Sequence, residues 1–163
     1  MLFMKYPVSL NVVRKLKVSD SIVFTGRIIL LSDAAFQRII NYERAEGLVP
    51  DFIKNEIVCF GRIEKNFVKP IPSKKFENFL EKAFLYGVVS VIAFDASLDE
   101  SIFKRFSRVL FVPESEVRPT STRILTYADL GEDAVYEIEV ERLFMRVAID
   151  SKGNRTSLEV EQS

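Results

Sequence analysis

The chain has 163 residues, 48% hydrophobic and 28% charged, with 6 glycines and 6 prolines, the composition of one globular domain. Its 23 basic and 23 acidic residues cancel, so no long-range field draws in nucleic acid or anionic lipid. There is no histidine, which removes the commonest general base, the commonest metal ligand and the Ser–His and Cys–His triads together.

Residues Met1 to Asn11 alternate apolar positions and read as an extended arm available to pair with a neighbour, and the chain is open to forming a homo-oligomer. The first ten residues, which include Lys5 and Pro7, do not resemble a signal peptide. No window approaches the roughly 18 apolar residues of a membrane span, so the expected location is the cytoplasm. Val12 to Asp20 mixes a helical turn with the approach to a strand. Ile22, Val23 and Phe24 favour a pleated backbone; Thr25-Gly26 breaks it, and Arg27 to Leu31 forms a second apolar run. Ser32 or Asp33 then caps a helix whose buried face carries Phe36, Ile39 and Ile40, with Tyr42 close by. A helix start at the end of a buried strand is a place to hold an anion, because free N–H groups and the dipole point there.

Leu48 to Asp51 is a loop, Glu56 to Gly61 a short buried strand, and Arg62 to Pro72 an irregular charged stretch. The single Cys59 sits in the apolar run EIVCFG and reads as a buried, inert thiol rather than a nucleophile. It cannot form an internal disulfide or ligate an iron–sulfur cluster alone. Ser73 opens a second helix in which Phe76, Phe79, Leu80, Ala83 and Phe84 keep helical spacing until Gly87. Ser73, Lys74 and Lys75 at its start offer a hydroxyl, two charges and free N–H groups to a carboxylate; the alternative for the lysines is plain solvation. Lys65, Phe67, Lys69, Lys74, Lys75 and Phe76 also form a basic and aromatic cluster. The zero net charge and the place of Phe76 in the helix stripe argue against single-stranded nucleic acid as its ligand.

Val88 to Ala93 is a strand covered on both faces, and Ser97 to Glu100 fits a capping box opening a helix through Phe106. Arg108 to Val112 is a strand ended by Pro113, and Glu114 to Thr122 a polar loop, after which Ile124 to Leu130 recovers order. Tyr136, Ile138 and Val140 alternate with Glu137, Glu139 and Glu141, which reads as a strand with one wet face rather than a metal-binding row. Leu143 to Ile149 is a more apolar strand, Asp150 to Gly153 a turn, and 154–163 a loose tail. The whole is an α/β domain with a mixed sheet, its core spanning about 12–153 between the arm (1–11) and the tail.

Several stretches, in constant order over about four-fifths of the chain, resemble one family. Leu16 to Asp20 followed by Thr25-Gly26 matches the opening LKVGD…SG, and Ser32 to Arg38 sits where that family writes ARDAAHKR. Leu48 to Phe52 with Ile57 to Gly61 resembles LPFDLKG…YYGP; Tyr127 to Gly131 and Ala134 to Gly153 look like its closing segments. The family is the β region of the iron–sulfur-dependent hydro-lyases, the class I fumarase and tartrate dehydratase group. The resemblance implies a swivelling β/β/α domain of three layers. It also implies an α subunit as partner, which carries a [4Fe–4S] cluster, so that no cofactor or metal is bound by this chain. The expected function is a dicarboxylate hydration or dehydration site completed with that subunit, with Ser32, Asp33, Ser73, Lys74 and Lys75 as candidate substrate-binding residues.

The departures set a second expectation. The family's carboxylate-clamping arginine stands as Ser32 and its histidine as Phe36, while Asp33 is kept. The segment GPTTSGRMD corresponds to Lys69 to Glu77, so that the threonine that would act as base falls at Ile71 and the arginine at Lys75. A glycine-lysine-glycine falls at Ala93-Phe94-Asp95. These losses allow a non-catalytic relative, acting as a carboxylate-binding or assembly module.

Overall fold

In the computed structural model, which describes residues 1–156, the chain is α/β with a mixed sheet, as expected. Its strands are β1 (Leu2–Lys5), β2 (Ser21–Leu31), β3 (Ile57–Glu64), β4 (Phe67–Pro70), β5 (Ser90–Ile92), β6 (Leu110–Pro113), β7 (Ser121–Thr126) and β8 (Val135–Ile149). The helices are α1 (Leu10–Lys15), α2 (Asp33–Glu46), α3 (Leu80–Leu85) and α4 (Glu100–Phe106). β2, β3, β5 and β6 run parallel, while β8 runs antiparallel to both β6 and β2. The pairings β2–β3–β5–β6–β8–β2 therefore close a ring.

Alternation along each strand divides the apolar residues into two clusters. Ile28 and Leu30 of β2, Cys59 of β3, Ile92 of β5, Phe111 of β6 and Met145 of β8 meet in one cluster, enclosed by the ring and plugged by Met4 and by Val13 of α1. Leu31, Phe60, Val91 and Leu110 face the other way, against Phe36 and Ile39 of α2, Phe84 of α3 and Phe103 of α4. No helix of the described residues is long and apolar enough to cross a membrane.

The two runs expected on either side of Thr25-Gly26 are one strand. β8 pairs with β2 from Ser21↔Arg146 to Leu30↔Tyr136, and the only irregularity is a bulge between Phe24 and Gly26. Gly26 has φ +145° and a Cβ there would lie 2.4 Å from the Tyr6 Cβ, so glycine lets the first strand return close to β2. Opposite the bulge, Arg142 donates its N–H to Thr25 Oγ1 at 3.0 Å, so both long strands bend at one level. The bend gives the first half of β2 to β1 and the second half to β3. Of the segment read as an arm, Leu2–Lys5 pairs with β2 of its own chain as β1, and Leu10 and Asn11 open α1.

Other boundaries also moved. The irregular stretch after Gly61 is a hairpin of β3 and β4, and the two closing strands are the single β8. The second helix is broken into 3₁₀ turns at Ser73–Lys75 and Glu77–Phe79 before α3 begins. Pro72, not Ser73, occupies its first cap position, and no side chain caps it. The cause is packing: Phe76 takes φ −128°, off the helix, and lies flat on Phe60 at 4.4 Å between ring centroids. Asp99 rather than Ser97 caps α4, by accepting from the Ser101 N–H at 3.0 Å. The Asp150–Gly153 turn forms as expected, with Gly153 N–H on Asp150 O at 3.0 Å. Of the expected tail, Asn154 and Arg155 are tied down, to Asp150 and Glu100 respectively; residues 157–163 lie outside the described residues.

Candidate functional site

The predicted site residues gather at the C-terminal edge of β2 and β3. Leu31 of β2 is in register with Phe60 of β3, and Phe60 O accepts the Ile71 N–H, four residues before Lys75. The segments beginning at Ser32 and at Ser73 therefore leave the sheet at one end. Between them, β3 carries Arg62 beyond the parallel sheet.

Ser32 is fully buried and is the cap of α2: its Oγ accepts from Ala35 N–H at 3.0 Å and donates to Asp133 O at 2.9 Å. Asp33, also read as a possible cap, is instead the first residue of the helix. Its carboxylate lies 3.4 Å from Arg62, whose Nε donates to Asp133. Asp133 holds the Arg62 guanidinium still more firmly protonated. Sequence reasoning passed over Arg62 and Asp133, because neither falls in a recognisable pattern and they are 71 residues apart. Arg38 of α2 grips Asp129 with two bonds of 2.7 and 2.8 Å and stacks over Tyr127. The turn 128–133 is thereby fixed against the start of α2.

Ser73 is buried, whereas Lys74 and Lys75 are exposed and make no ion pair among the described residues. The three charges Arg62, Asp33 and Asp133 sum to −1, so that cluster repels a carboxylate. The unbalanced positive charge at this edge belongs to the two lysines. Ile71 and Phe36, at the positions of the family threonine and histidine, are core residues, 4% and 0% exposed. Phe36 stacks on Phe79 at 5.0 Å. Cys59 is buried, and burial pushes its thiol up to about 12.

Residues 116–159 match the family model described as the fumarase C-terminus. That match supports the resemblance to the β region of the fumarate hydratase and tartrate dehydratase group. The matched stretch takes in β7, the turn that carries Asp129 and Asp133, and β8. No curated protein gives a significant match to the chain.

Acid sensitivity follows from the ion pairs. On the face of β8 expected to be wet, the Glu137 side chain is only 14% exposed, because Arg123 of β7 and Arg27 of β2 close over it. The hydrogen bond from Arg123 holds Glu137 below its ordinary 4.5, and Arg38 likewise holds Asp129 below 3.8. A carboxylate depressed by folding stabilises above its unfolded value and loses that contribution as pH falls through the folded one. With no histidine, the thermal midpoint is expected to be flat between about pH 6 and 8 and to fall steeply only below 4.5. Glu137→Gln should flatten the acid limb in thermal melts across pH; a main transition near neutrality would contradict this account.

Proposed function

We propose that this chain is the β component of a cytoplasmic iron–sulfur-type hydro-lyase, completing a dicarboxylate site with an α subunit. The reading is carried by the fumarase C-terminal match, because that segment brings Asp133 to Arg62 at the sheet edge where the ordered family resemblances also converge. On this reading, the ring of strands with α2, α3 and α4 on its outer face is a swivelling β/β/α domain of three layers. The [4Fe–4S] cluster belongs to the partner. Among the described residues nothing fits it: the chain's single thiol is buried and held protonated.

Lys74 and Lys75 supply positive charge to the substrate carboxylates. Asp33 and Asp133 hold Arg62 in place, and their net negative charge turns a dicarboxylate toward the lysines. Co-expression with an α-type subunit under anaerobic conditions should give a complex that turns over one of a panel of 2-hydroxy dicarboxylates, with Lys75→Ala reducing kcat/KM about tenfold. Absence of both complex and turnover would overturn the reading.

A second reading, a non-catalytic carboxylate-binding or assembly module, is favoured by one observation. The positions of the family's base and histidine are sealed in the core as Ile71 and Phe36. Stabilisation of the isolated chain by one di- or tricarboxylic acid, abolished by Lys75→Ala and unaccompanied by turnover in the complex, is its signature.

A further inference from the structure

The opposite end of the molecule, where β2 and β6 begin and β8 ends, has a different electrostatic character. A hollow of about 520 Å³ is lined by Arg14 and Lys15 at the end of α1, Lys17 before β2, and Lys152 and Asn154 after β8. A second hollow of about 440 Å³, lined by Ser9, Asn11, Asn55 and Val89, also has Arg14 in its wall. Arg14 thus stands between the two.

The carboxylate in the larger wall, Asp150, is 4% exposed and committed to amides. Its Oδ1 accepts the N–H groups of Lys152 and Asn154, both at 3.0 Å, and its Oδ2 accepts Val18 N–H and the Asn154 side chain, both at 3.2 Å. Asp20 accepts the Lys17 N–H at 2.8 Å. Among the described residues, none of Arg14, Lys15, Lys17 and Lys152 makes an ion pair.

Arg108, just before β6, is 8% exposed, yet it too has no carboxylate partner among the described residues. Its Nε donates to Val88 O at 2.9 Å and its Nη1 to Phe106 O, and the guanidinium lies over the face of Phe84. Val88 adjoins Val89 in the wall of the smaller hollow, and Arg14 is near enough for its charge, added to burial, to weaken the proton affinity of Arg108. Two guanidinium groups without an acid, beside three ammonium groups, is an arrangement that an anion completes.

We propose that this end of the molecule is a second site, which binds a small polyvalent phosphate, with Arg14, Lys17 and Lys152 as its contacts. Several cations spread round an open hollow suit the many oxygens of a di- or triphosphate, and the guanidinium of Arg14 provides the planar fork. The site is independent of the hydro-lyase reading, since it shares no residue with the Lys75 edge.

Calorimetric titration of the full chain with inorganic pyrophosphate tests it, with citrate and with chloride at matched ionic strength as comparators. Binding in the millimolar range or tighter is expected, weakened at least about tenfold by Arg14→Ala/Lys17→Ala/Lys152→Ala and unchanged by Lys75→Ala. All three replaced residues are exposed, and circular dichroism would confirm that the variant folds. No binding by the wild type, equal binding by the triple variant, equal heat from chloride, or tighter binding of citrate that persists in Lys75→Ala would each overturn the assignment.

Discussion

Phe60→Ala is expected to lower the free energy of unfolding by about 3–5 kcal/mol, measured by denaturant titration. Phe60 has no exposed surface, and its ring is held between Phe76, centroid to centroid at 4.4 Å, and Phe36 at 6.0 Å. Removing it empties the junction between β3 and α2. It also takes away the surface that keeps Phe76 off a helical path, so the Ser73–Lys75 turn loses its seat. Phe60→Leu retains most of the volume and should cost about 1.5 kcal/mol or less. Equal losses for the two variants would show that ring stacking, rather than filled volume, holds this junction.

The second large effect is expected at Glu56. Its side chain, 7% exposed, pairs with Arg27 and accepts from the Tyr6 hydroxyl at 3.1 Å. Arg27 Nε and Glu56 Oε2 are buried without partners, so the pair is incompletely satisfied. Glu56→Ala leaves Arg27 with the Tyr6 hydroxyl and, among the described residues, Glu137 at 3.5 Å as its remaining carboxylate, and should cost about 3 kcal/mol. Replacing both charges, Arg27→Met with Glu56→Leu, should recover stability to within about 1 kcal/mol of the wild type, because the desolvation cost disappears along with the attraction. Glu137 keeps Arg123 in that variant. A double variant as unstable as the sum of the singles would sink this argument.

What the sequence made legible is what short-range periodicity encodes. The helix from Ser32 to Gly47, the covered strand around Val91 and the alternation from Tyr136 to Val140 are all written in local spacing. Gly47, at φ +69°, closes α2. The broken helix after Pro72 was not legible, because its apolar stripe is helical throughout and the break is decided by Phe60, distant in sequence. The same holds for β2: Thr25-Gly26 looks like a turn until β8 is present to carry the strand through it. At the candidate site, the local groups Ser32, Asp33, Lys74 and Lys75 were visible as cap and charge signals. Arg62 and Asp133 meet only through the tertiary fold, and no spacing rule reaches that far. The placement of Ile71 and Phe36 in the core is a matter of burial, which a single sequence states weakly.

The ring closure also governs how the chain reaches its native state. β2 is made before its long partner, which begins at Val135, more than a hundred residues later. Until then, one whole flank of β2 has its amides unmet and the enclosed cluster lies open on the side that β8 will seal. Non-local pairing of this kind is slow to form and leaves sticky intermediates. β8 is thus the latch of the assembly: fragments that stop short of it expose the interior, and the ring is not secure until that strand has been made.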